Sequence, residues 1–461
     1  MTNSSLLTLM VYGEIMKKIK LRLILLLLLN FQVAVAVNLD FEYENNLIGD
    51  ELKTALSNEI KNTSGNQYYL EWAKFSDPSC PDDIRVRTVK TDSYTGLSSL
   101  EVLYPQGKIL TESCGGSGTQ FQIKTVSTNQ ENYLVASYAF RLKEGFSYGS
   151  SPSHEVIKLP GLAAENDNKK ICSGSQKCTN NSFSLRLSLR NGDKEATLSD
   201  DDYAGGEVYL YSYEPLKKCS NGEYYNLTKP DGQNTFIKPE DGWNVIVSRV
   251  QVNTFDDMSK PVSDGVVEIF LNGQQIFFNK IMVLVSDKYK NNSEELQSVL
   301  VDVFVFSTFF GGSDDESTSK VEYAPLNDSY ILFDSLKIGS DFNTVAGNSV
   351  VIYYHDNDTL HIPSIRDSSG TNYSVELVKE EGTNNTFRLT NVQLSTEKTA
   401  FLSYDPNAPV ILSVAHIKNN QWIGTFQHKI SFDSGDKFTV DKILDLTYRQ
   451  TLPNRILCFR D

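Results

Sequence analysis

One short segment alternates polar and apolar side chains in a way that could bind a carboxylate. In a β-strand, successive side chains point to opposite faces of the sheet. For the segment Phe183–Arg190 this places the apolar residues in a core, and Ser184, Arg186, Ser188 and Arg190 together on one exposed face. Arginine can hold a carboxylate through two parallel hydrogen bonds, so this face could bind an anionic ligand. An ordinary strand with a solvated polar face would show the same pattern.

A second segment could supply proton-transfer groups. Within Glu207–Tyr213 the three tyrosines Tyr209, Tyr211 and Tyr213 alternate with other residues and share one strand face. Tyrosine has an ordinary pKa of about 10, and a neighbouring cation lowers it. A phenol among cations can therefore exchange protons near neutral pH. The same residues could instead form an aromatic ladder that only stabilises the sheet.

The third candidate is Lys158, which stands directly before Leu159, Pro160 and Gly161. A Pro-Gly pair predicts a turn. A lysine before a turn is normally solvated, so the local sequence gives Lys158 no chemical role.

Short apolar runs separated by turn residues make up most of the chain and must position these groups. Gly265–Phe278 contains two such runs around Asn272-Gly273, which is the strongest short-range signal for a β-hairpin. Tyr133–Leu142 is another predicted strand, whereas Asp50–Lys61 predicts one short helix. The pattern indicates an all-β sandwich or jelly roll. We predict a jelly-roll β-sandwich followed by a smaller β-rich C-terminal domain.

We predict four segments along the chain: residues 1–36, 37–66, 67–340 and 349–461. The first is a signal peptide, the second an N-terminal segment, the third the sandwich domain, and the last a small β-rich domain of unknown role. Glycine and polar residues interrupt the apolar pattern near residues 339–348, which predicts the last boundary. The C-terminal strands are predicted at Val350–Tyr354, Tyr373–Val378, Phe387–Val392 and Val410–Ala415.

The first segment has the features of an export signal. A basic stretch at residues 17–22 precedes the apolar run Leu23–Leu29, and Ala34-Val35-Ala36 offers a small-x-small cleavage site. The apolar run is shorter than the roughly 20 residues of a membrane-spanning helix. We therefore expect cleavage near Val37, a secreted protein, and no membrane contact beyond the leader.

Cysteines, sequons and charge agree with export. An even number of cysteines suits disulfides in an oxidising compartment, and their spacing lacks a zinc motif. The six are Cys80, Cys114, Cys172, Cys178, Cys219 and Cys458. Sequons for N-glycosylation occur at Asn62, Asn180, Asn226, Asn291, Asn327, Asn357, Asn372 and Asn384. The formal charge of −15 argues against nucleic acid as a partner. It also disfavours a polyanion, although a local cation cluster can outweigh net charge inside a cleft.

The three candidate segments also occur in the order found in polysaccharide lyase family 14, the alginate and glucuronan lyases, which the chain resembles over roughly residues 70–340. The matching pieces are Leu100–Gly107, Gly115-Gly116, Gln120-Phe121, Ser137–Arg141, Gly145-Phe146, Lys158–Leu162, Cys172–Gly174, Phe183–Arg186, Arg190–Gly192, Glu207–Tyr211, Asp241–Trp243, Asp264-Gly265, Phe306–Ser313, Ala324-Pro325 and Phe333-Asp334. The resemblance implies that the catalytic residues are Lys158, Ser184, Arg186, Tyr209 and Tyr211.

The resemblance further implies β-elimination on an anionic polysaccharide, a uronan, without a metal or organic cofactor. Arg186 and Ser184 would neutralise the uronate carboxylate. Tyr209 or Tyr211 would serve as base or acid, and Lys158 would act either as the base or as a fixed cation. Ser188, Arg190 and Tyr213 would bind substrate from the same strand faces. We expect a monomer.

The chain departs from the family pattern at three places. Val156 and Ile157 stand where the family has two glycines, and these bulkier residues are expected to restrict the approach of the sugar. Ser188-Leu189 replaces a Met-Trp pair, and an acidic stretch that includes Asp200–Asp202 follows Arg190. The alternative is a catalytically inactive, lyase-like glycan-binding or surface protein, because a fold alone does not fix a function.

Overall fold

The structure is a computed structural model. It describes residues 36–43, 46–75, 80, 84–90, 92–109, 116–126, 132–148, 155–165, 171, 182–191, 206–213, 223–227, 235–290, 296–297, 301–311, 324–342, 344–346, 353–355, 359–366, 371–383, 386–394, 402–403, 410–418, 421–432 and 437–445. No helix within these ranges is long and apolar enough to cross a membrane. The predicted leader, residues 1–36, lies outside them except for Ala36.

Strands dominate the described chain, as predicted. In chain order the elements are β1 (Ala36–Leu39), α1 (Gly49–Ser64), β2 (Tyr68–Lys74), β3 (Val86–Val89), β4 (Ser99–Tyr104), β5 (Thr119–Thr125), β6 (Tyr133–Leu142), β7 (Glu155–Ala164), β8 (Phe183–Asn191), β9 (Gly206–Tyr213), β10 (Glu223–Asn226), β11 (Phe236–Ile237), β12 (Asn244–Gln251), β13 (Gly265–Leu271), β14 (Gln274–Met282), β15 (Tyr289–Lys290), β16 (Leu296–Gln297), β17 (Val303–Thr308), β18 (Ser329–Gly339), β19 (Tyr353–His355), β20 (Thr359–Arg366), β21 (Asn372–Lys379), β22 (Thr386–Leu394), β23 (Leu402–Ser403), β24 (Val410–Lys418), β25 (Gln421–Phe432) and β26 (Lys437–Asp445).

Two eight-stranded antiparallel sheets form a jelly-roll β-sandwich, which confirms the predicted fold class. The first sheet has the order β14-β13-β12-β6-β18-β4-β3, and β1 pairs with β18. The second has the order β10-β9-β8-β7-β17-β5-β2, and β11 pairs with β9. Inward side chains of both sheets share one apolar core that includes Tyr138, Leu187, Phe306 and Phe333. The candidate site residues all belong to β7, β8 and β9, which are adjacent in the second sheet.

Local sequence signals explain several of these elements. The predicted hairpin is formed by β13 and β14, and both turn residues, Asn272 and Gly273, have the positive φ angles that a type I′ turn requires. The helix α1 buries Leu52, Leu56 and Ile60, which recur every four residues along one face. It extends three residues beyond the predicted end because its left-handed C-cap is Gly65.

The C-terminal strands form a separate eight-stranded sheet. Its order is β19-β24-β25-β26-β22-β21-β20-β23, and among the described residues none of its strands pairs with a sandwich strand. The interruption predicted near residues 339–348 falls between β18 and β19. The domain limits themselves stay a prediction.

Candidate functional site

Backbone register brings the candidate positions into three rows across β7, β8 and β9. Residues directly opposite each other in an antiparallel pair lie on the same face of the sheet. The rows are Lys158, Ser188 and Tyr209; Gly161, Arg186 and Tyr211; and Ala163, Ser184 and Tyr213. The side chains of Tyr209, Tyr211, Tyr213 and Arg190 lie outside the described part of the structure, so only their strand positions are known.

The polar face of β8 is buried, contrary to the expectation of an exposed face. Ser184 and Ser188 are 0% exposed and Arg186 is 6% exposed. The physical reason lies next to them, where Ala163, Val303 and other apolar side chains form a buried cluster. Alternation along a strand identifies the face on which a side chain lies, but it does not reveal whether water reaches that face.

The hydroxyls that flank Arg186 are unusual for buried groups. Within the described structure, neither Ser184 Oγ nor Ser188 Oγ has a hydrogen-bond partner. Buried polar groups are nearly always paired, so two unpaired hydroxyls on either side of a guanidinium indicate a place for ligand oxygens.

Two further residues adjoin Arg186, and the sequence analysis selected neither of them as a site residue. Ser307 contacts Arg186, and Gln120 contacts Ser307. Arg186 Nη1 donates a long hydrogen bond of 3.5 Å to Ser307 Oγ on β17, and Gln120 Nε2 on β5 donates to the same oxygen at 3.0 Å. Alternation in β17 could have predicted that Ser307 lies on the sheet face away from the core, because its neighbour Phe306 points inward. No local signal shows that β17 lies beside β7, because that pairing joins distant parts of the chain.

The predicted turn at Pro160-Gly161 is wrong, because both residues lie inside the continuous strand β7. The register passes from Lys158 opposite Ser188 to Gly161 opposite Arg186, so β7 contains a bulge. Proline is tolerated at a bulge, where its missing N–H is not needed for the ladder. Gly161 is required for close approach, since a Cβ at this position would lie 2.0 Å from the carbonyl oxygen of Leu185.

Lys158 is buried, not solvated as its sequence context suggested. Lys158 is 6% exposed, and its backbone N–H donates to the Phe309 carbonyl oxygen at 3.0 Å. Burial, and then the positive charge of Arg186, hold the pKa of the Lys158 amine well below its ordinary value. A lowered pKa makes this amine easier to deprotonate, and the deprotonated form can accept a proton.

Ile157 does not restrict the approach of a sugar, contrary to expectation. Its side chain is fully buried in the sandwich core, and its backbone forms a bridge with Phe310. Alternation explains the outcome, because Ile157 points away from the face that carries Lys158. The side chain of Val156 and the acidic stretch Asp200–Asp202 lie outside the described residues.

Carboxylates neutralise a further lysine of the second sheet. Lys124 on β5 forms ion pairs with Glu71 and Glu165. The carboxylate of Asp302 accepts the backbone N–H of Glu165 at 3.2 Å, and burial together with the Glu165 charge raises the pKa of Asp302 to about 7. In the part of the chain that the structure describes, no three His, Cys, Asp or Glu side chains converge in a way that could hold a metal ion.

Comparison with known families identifies the chain. The family model described as polysaccharide lyase 14 matches residues 92–336, just over half of the sequence, and this range contains every candidate site residue. The chain belongs to the polysaccharide lyase 14 family. Membership confirms the resemblance seen in the motifs and places the protein among lyase enzymes.

Solved structures of lyases resemble this polysaccharide lyase 14 member. A marine alginate lyase of the family from Aplysia kurodai is 22% identical, with a TM-score of 0.43 over 67% of this chain and 99% of its own. An alginate lyase from Chlorella virus is 15% identical, with a TM-score of 0.39 over 61% and 96% of the two chains. An endo-β-1,4-glucuronan lyase from the fungus Trichoderma reesei is 12% identical, with a TM-score of 0.33 over 60% and 93%. No curated protein matches the sequence significantly.

Proposed function

We propose that this protein is a secreted polysaccharide lyase that cleaves a uronic-acid polymer, of alginate or glucuronan type, by β-elimination. One observation carries the proposal. The buried Arg186 lies between the hydroxyls of Ser184 and Ser188, which have no hydrogen-bond partner among the described residues, and Lys158, with its lowered pKa, is on the adjacent strand. A uronate carboxylate would supply the oxygens that the two hydroxyls lack.

The first task of such an enzyme is to stabilise charge on the carboxylate. β-Elimination removes the proton at C5 of the uronate and expels the oxygen at C4 of the same sugar. As the C5 proton leaves, negative charge spreads onto the neighbouring carboxylate. Arg186 and Ser184 would bind that group in a buried site where electrostatic contacts are strong, which lowers the barrier for proton removal.

The second task is transfer of two protons. The lowered pKa of Lys158 supports its assignment as the base that takes the C5 proton, in preference to a fixed cation. The proton for the departing C4 oxygen would come from a phenol. Tyr211 lies opposite Arg186 in the register and Tyr209 opposite Ser188, so both positions are available for this role. Tyr→Phe variants at each position would distinguish them by loss of kcat.

The test is turnover by the purified mature protein on polymannuronate, polyguluronate and polyglucuronate. We expect absorbance from the unsaturated product with at least one polymer, and its loss in Lys158→Ala and Arg186→Ala. Matched controls are Lys238→Ala, which removes a partly exposed cation, and Arg388→Ala, which removes an exposed cation on β22. Folded wild-type protein that yields no product from any uronan would contradict the proposal. Binding of a uronan without product would instead support the inactive, glycan-binding alternative.

Secretion forms part of the proposal and has its own test. The leader, the even cysteine count and the eight sequons support it. Expression in a secretory eukaryotic host should release the protein into the culture medium. Its chain should begin near Val37, carry N-glycans and have its cysteines paired. An uncleaved chain that stays in the cell would contradict this part. Of the six cysteines, Cys80 lies within the described residues. We expect a monomer by light scattering.

A further inference from the structure

The bulge that carries Lys158 is in contact with the opposite sheet of the sandwich. The hydroxyl of Tyr138, on β6 of the first sheet, donates a hydrogen bond to the carbonyl oxygen of Pro160 at 3.2 Å. Both residues are buried. Within the described strands, Leu159 and Pro160 have no register partner on β8 or β17. The hydroxyl thus supplies a hydrogen bond to a buried carbonyl oxygen, in a segment where the β-ladder gives Leu159 and Pro160 no register partner.

Contacts within its own sheet and a contact from across the core hold this segment. The backbone N–H of Lys158 donates to Phe309, and Gly161 packs closely against the backbone of Leu185. These two contacts lie within the second sheet, at the two ends of the bulge. The Tyr138 hydroxyl donates a hydrogen bond from across the core to the middle of the bulge.

The ring of Tyr138 is fixed independently of its hydroxyl. Ring centroids of Phe140 and Phe333 lie 6.1 and 6.2 Å from that of Tyr138. Burial raises the pKa of Tyr138 well above its ordinary value, so the hydroxyl stays protonated and remains a donor at any working pH. Removal of the hydroxyl alone should therefore leave the core packing in place.

We propose that Tyr138 is a positioning residue, which holds the Lys158 amine beside Arg186 through the carbonyl of Pro160. The inference rests on the proposed function, because it assigns Tyr138 a role in the reaction that Lys158 would perform. Tyr138 itself is 1% exposed and lies in the apolar core, so we assign it no contact with substrate. Among the described residues, the charge of Arg186 on β8 acts on Lys158. By register, Tyr209 and Tyr211 are the titratable positions of β9 opposite Ser188 and Arg186. A relaxed bulge would let the amine move away from Arg186 and become better hydrated.

The test compares Tyr138→Phe with Tyr148→Phe. Tyr148 is a matched control, because its buried hydroxyl also donates to a backbone carbonyl, that of Ile237, at 2.6 Å. In Tyr138→Phe we expect kcat to fall by about tenfold with KM unchanged within about twofold. The acidic limb of the kcat/KM profile should move to higher pH, since the Lys158 base would then be protonated more readily. Tyr148→Phe should move neither quantity.

A wild-type kcat and pH profile in Tyr138→Phe would overturn the proposal, as would equal losses in both variants. If Tyr138→Phe does not fold, p-aminophenylalanine at position 138 keeps a donor near the hydroxyl position. That variant should retain kcat within about threefold, and a tenfold loss in folded protein would also overturn the proposal.

A readout without turnover separates this inference from the proposed function. Carbon-13 NMR of lysine-labelled protein follows the titration of Lys158, whose signal is assigned by its loss in Lys158→Met. Tyr138→Phe should raise the pKa of Lys158 relative to the wild type, even if no uronan is cleaved. An unchanged Lys158 titration would refute the positioning role, whereas absence of product from the wild type alone would refute only the proposed function.

Discussion

Replacement of Gly161 by alanine should damage both the sheet and the site. A Cβ at this position would lie 2.0 Å from the carbonyl oxygen of Leu185 and 2.8 Å from the Cα of Arg186. Such contacts are not seen below 3.0 Å, so β7 and β8 must separate by roughly 1 Å. Overpacking of this kind costs about 1–3 kcal/mol of stability. A displacement of about 1 Å in a catalytic group can lower the rate by about 100-fold.

Urea unfolding and uronan turnover of Gly161→Ala measure the two effects separately. The control is Gly265→Ala in the first sheet, where the added Cβ would lie 2.6 Å from the carbonyl oxygen of Met282. It should lose stability without a specific loss of kcat. Wild-type stability in Gly161→Ala would refute the steric argument. Reduced stability with full turnover would show that the close approach of β7 and β8 does not position Lys158.

Three further predictions concern buried polar groups. The wild type should gain stability as pH rises from the folded pKa of Lys158 towards about 10.4, because the unfolded chain binds more protons in that window. Lys158→Met should lose this slope, which is at most about 1.4 kcal/mol per pH unit in urea titrations; an unchanged slope would contradict the lowered pKa of Lys158. Ser184→Ala and Ser188→Ala should be as stable as the wild type or more so, by about 1 kcal/mol in thermal unfolding, yet show a raised KM. Asp302 has a raised pKa, so wild-type stability should fall as pH rises from about 4 to 7. Asp302→Asn should remove that fall, and equal pH dependence in both proteins would refute it.

Local sequence patterns were sufficient to predict much of the sandwich. Tyr133–Leu142 was predicted as a strand with the limits that the structure gives to β6. Phe183–Arg190 differs from β8 by one residue at its end. The Asn272-Gly273 turn was predicted because positive φ angles favour these two residues. In each case the signal lies within a few neighbouring residues.

Features that depend on distant contacts could not be predicted in the same way. Pro160-Gly161 favours a turn, but contacts with Phe309, Tyr138 and Leu185 make the segment a strand bulge. The same limit explains why Ser307 was not selected, since its contact with Arg186 joins residues 121 positions apart. Burial of the β8 polar face also depends on residues from other strands.

The alternation in β8 has a consequence for how such a site can change over time. Core positions and candidate site positions alternate along one strand, so a single substitution at residue 184, 186 or 188 alters the proposed ligand face and leaves the core side chains unchanged. A deletion of one residue would exchange the two faces, with arginine directed inward and leucine outward. Point substitutions can therefore change the specificity of the strand, whereas the loss of one residue would disrupt both the core and the proposed site.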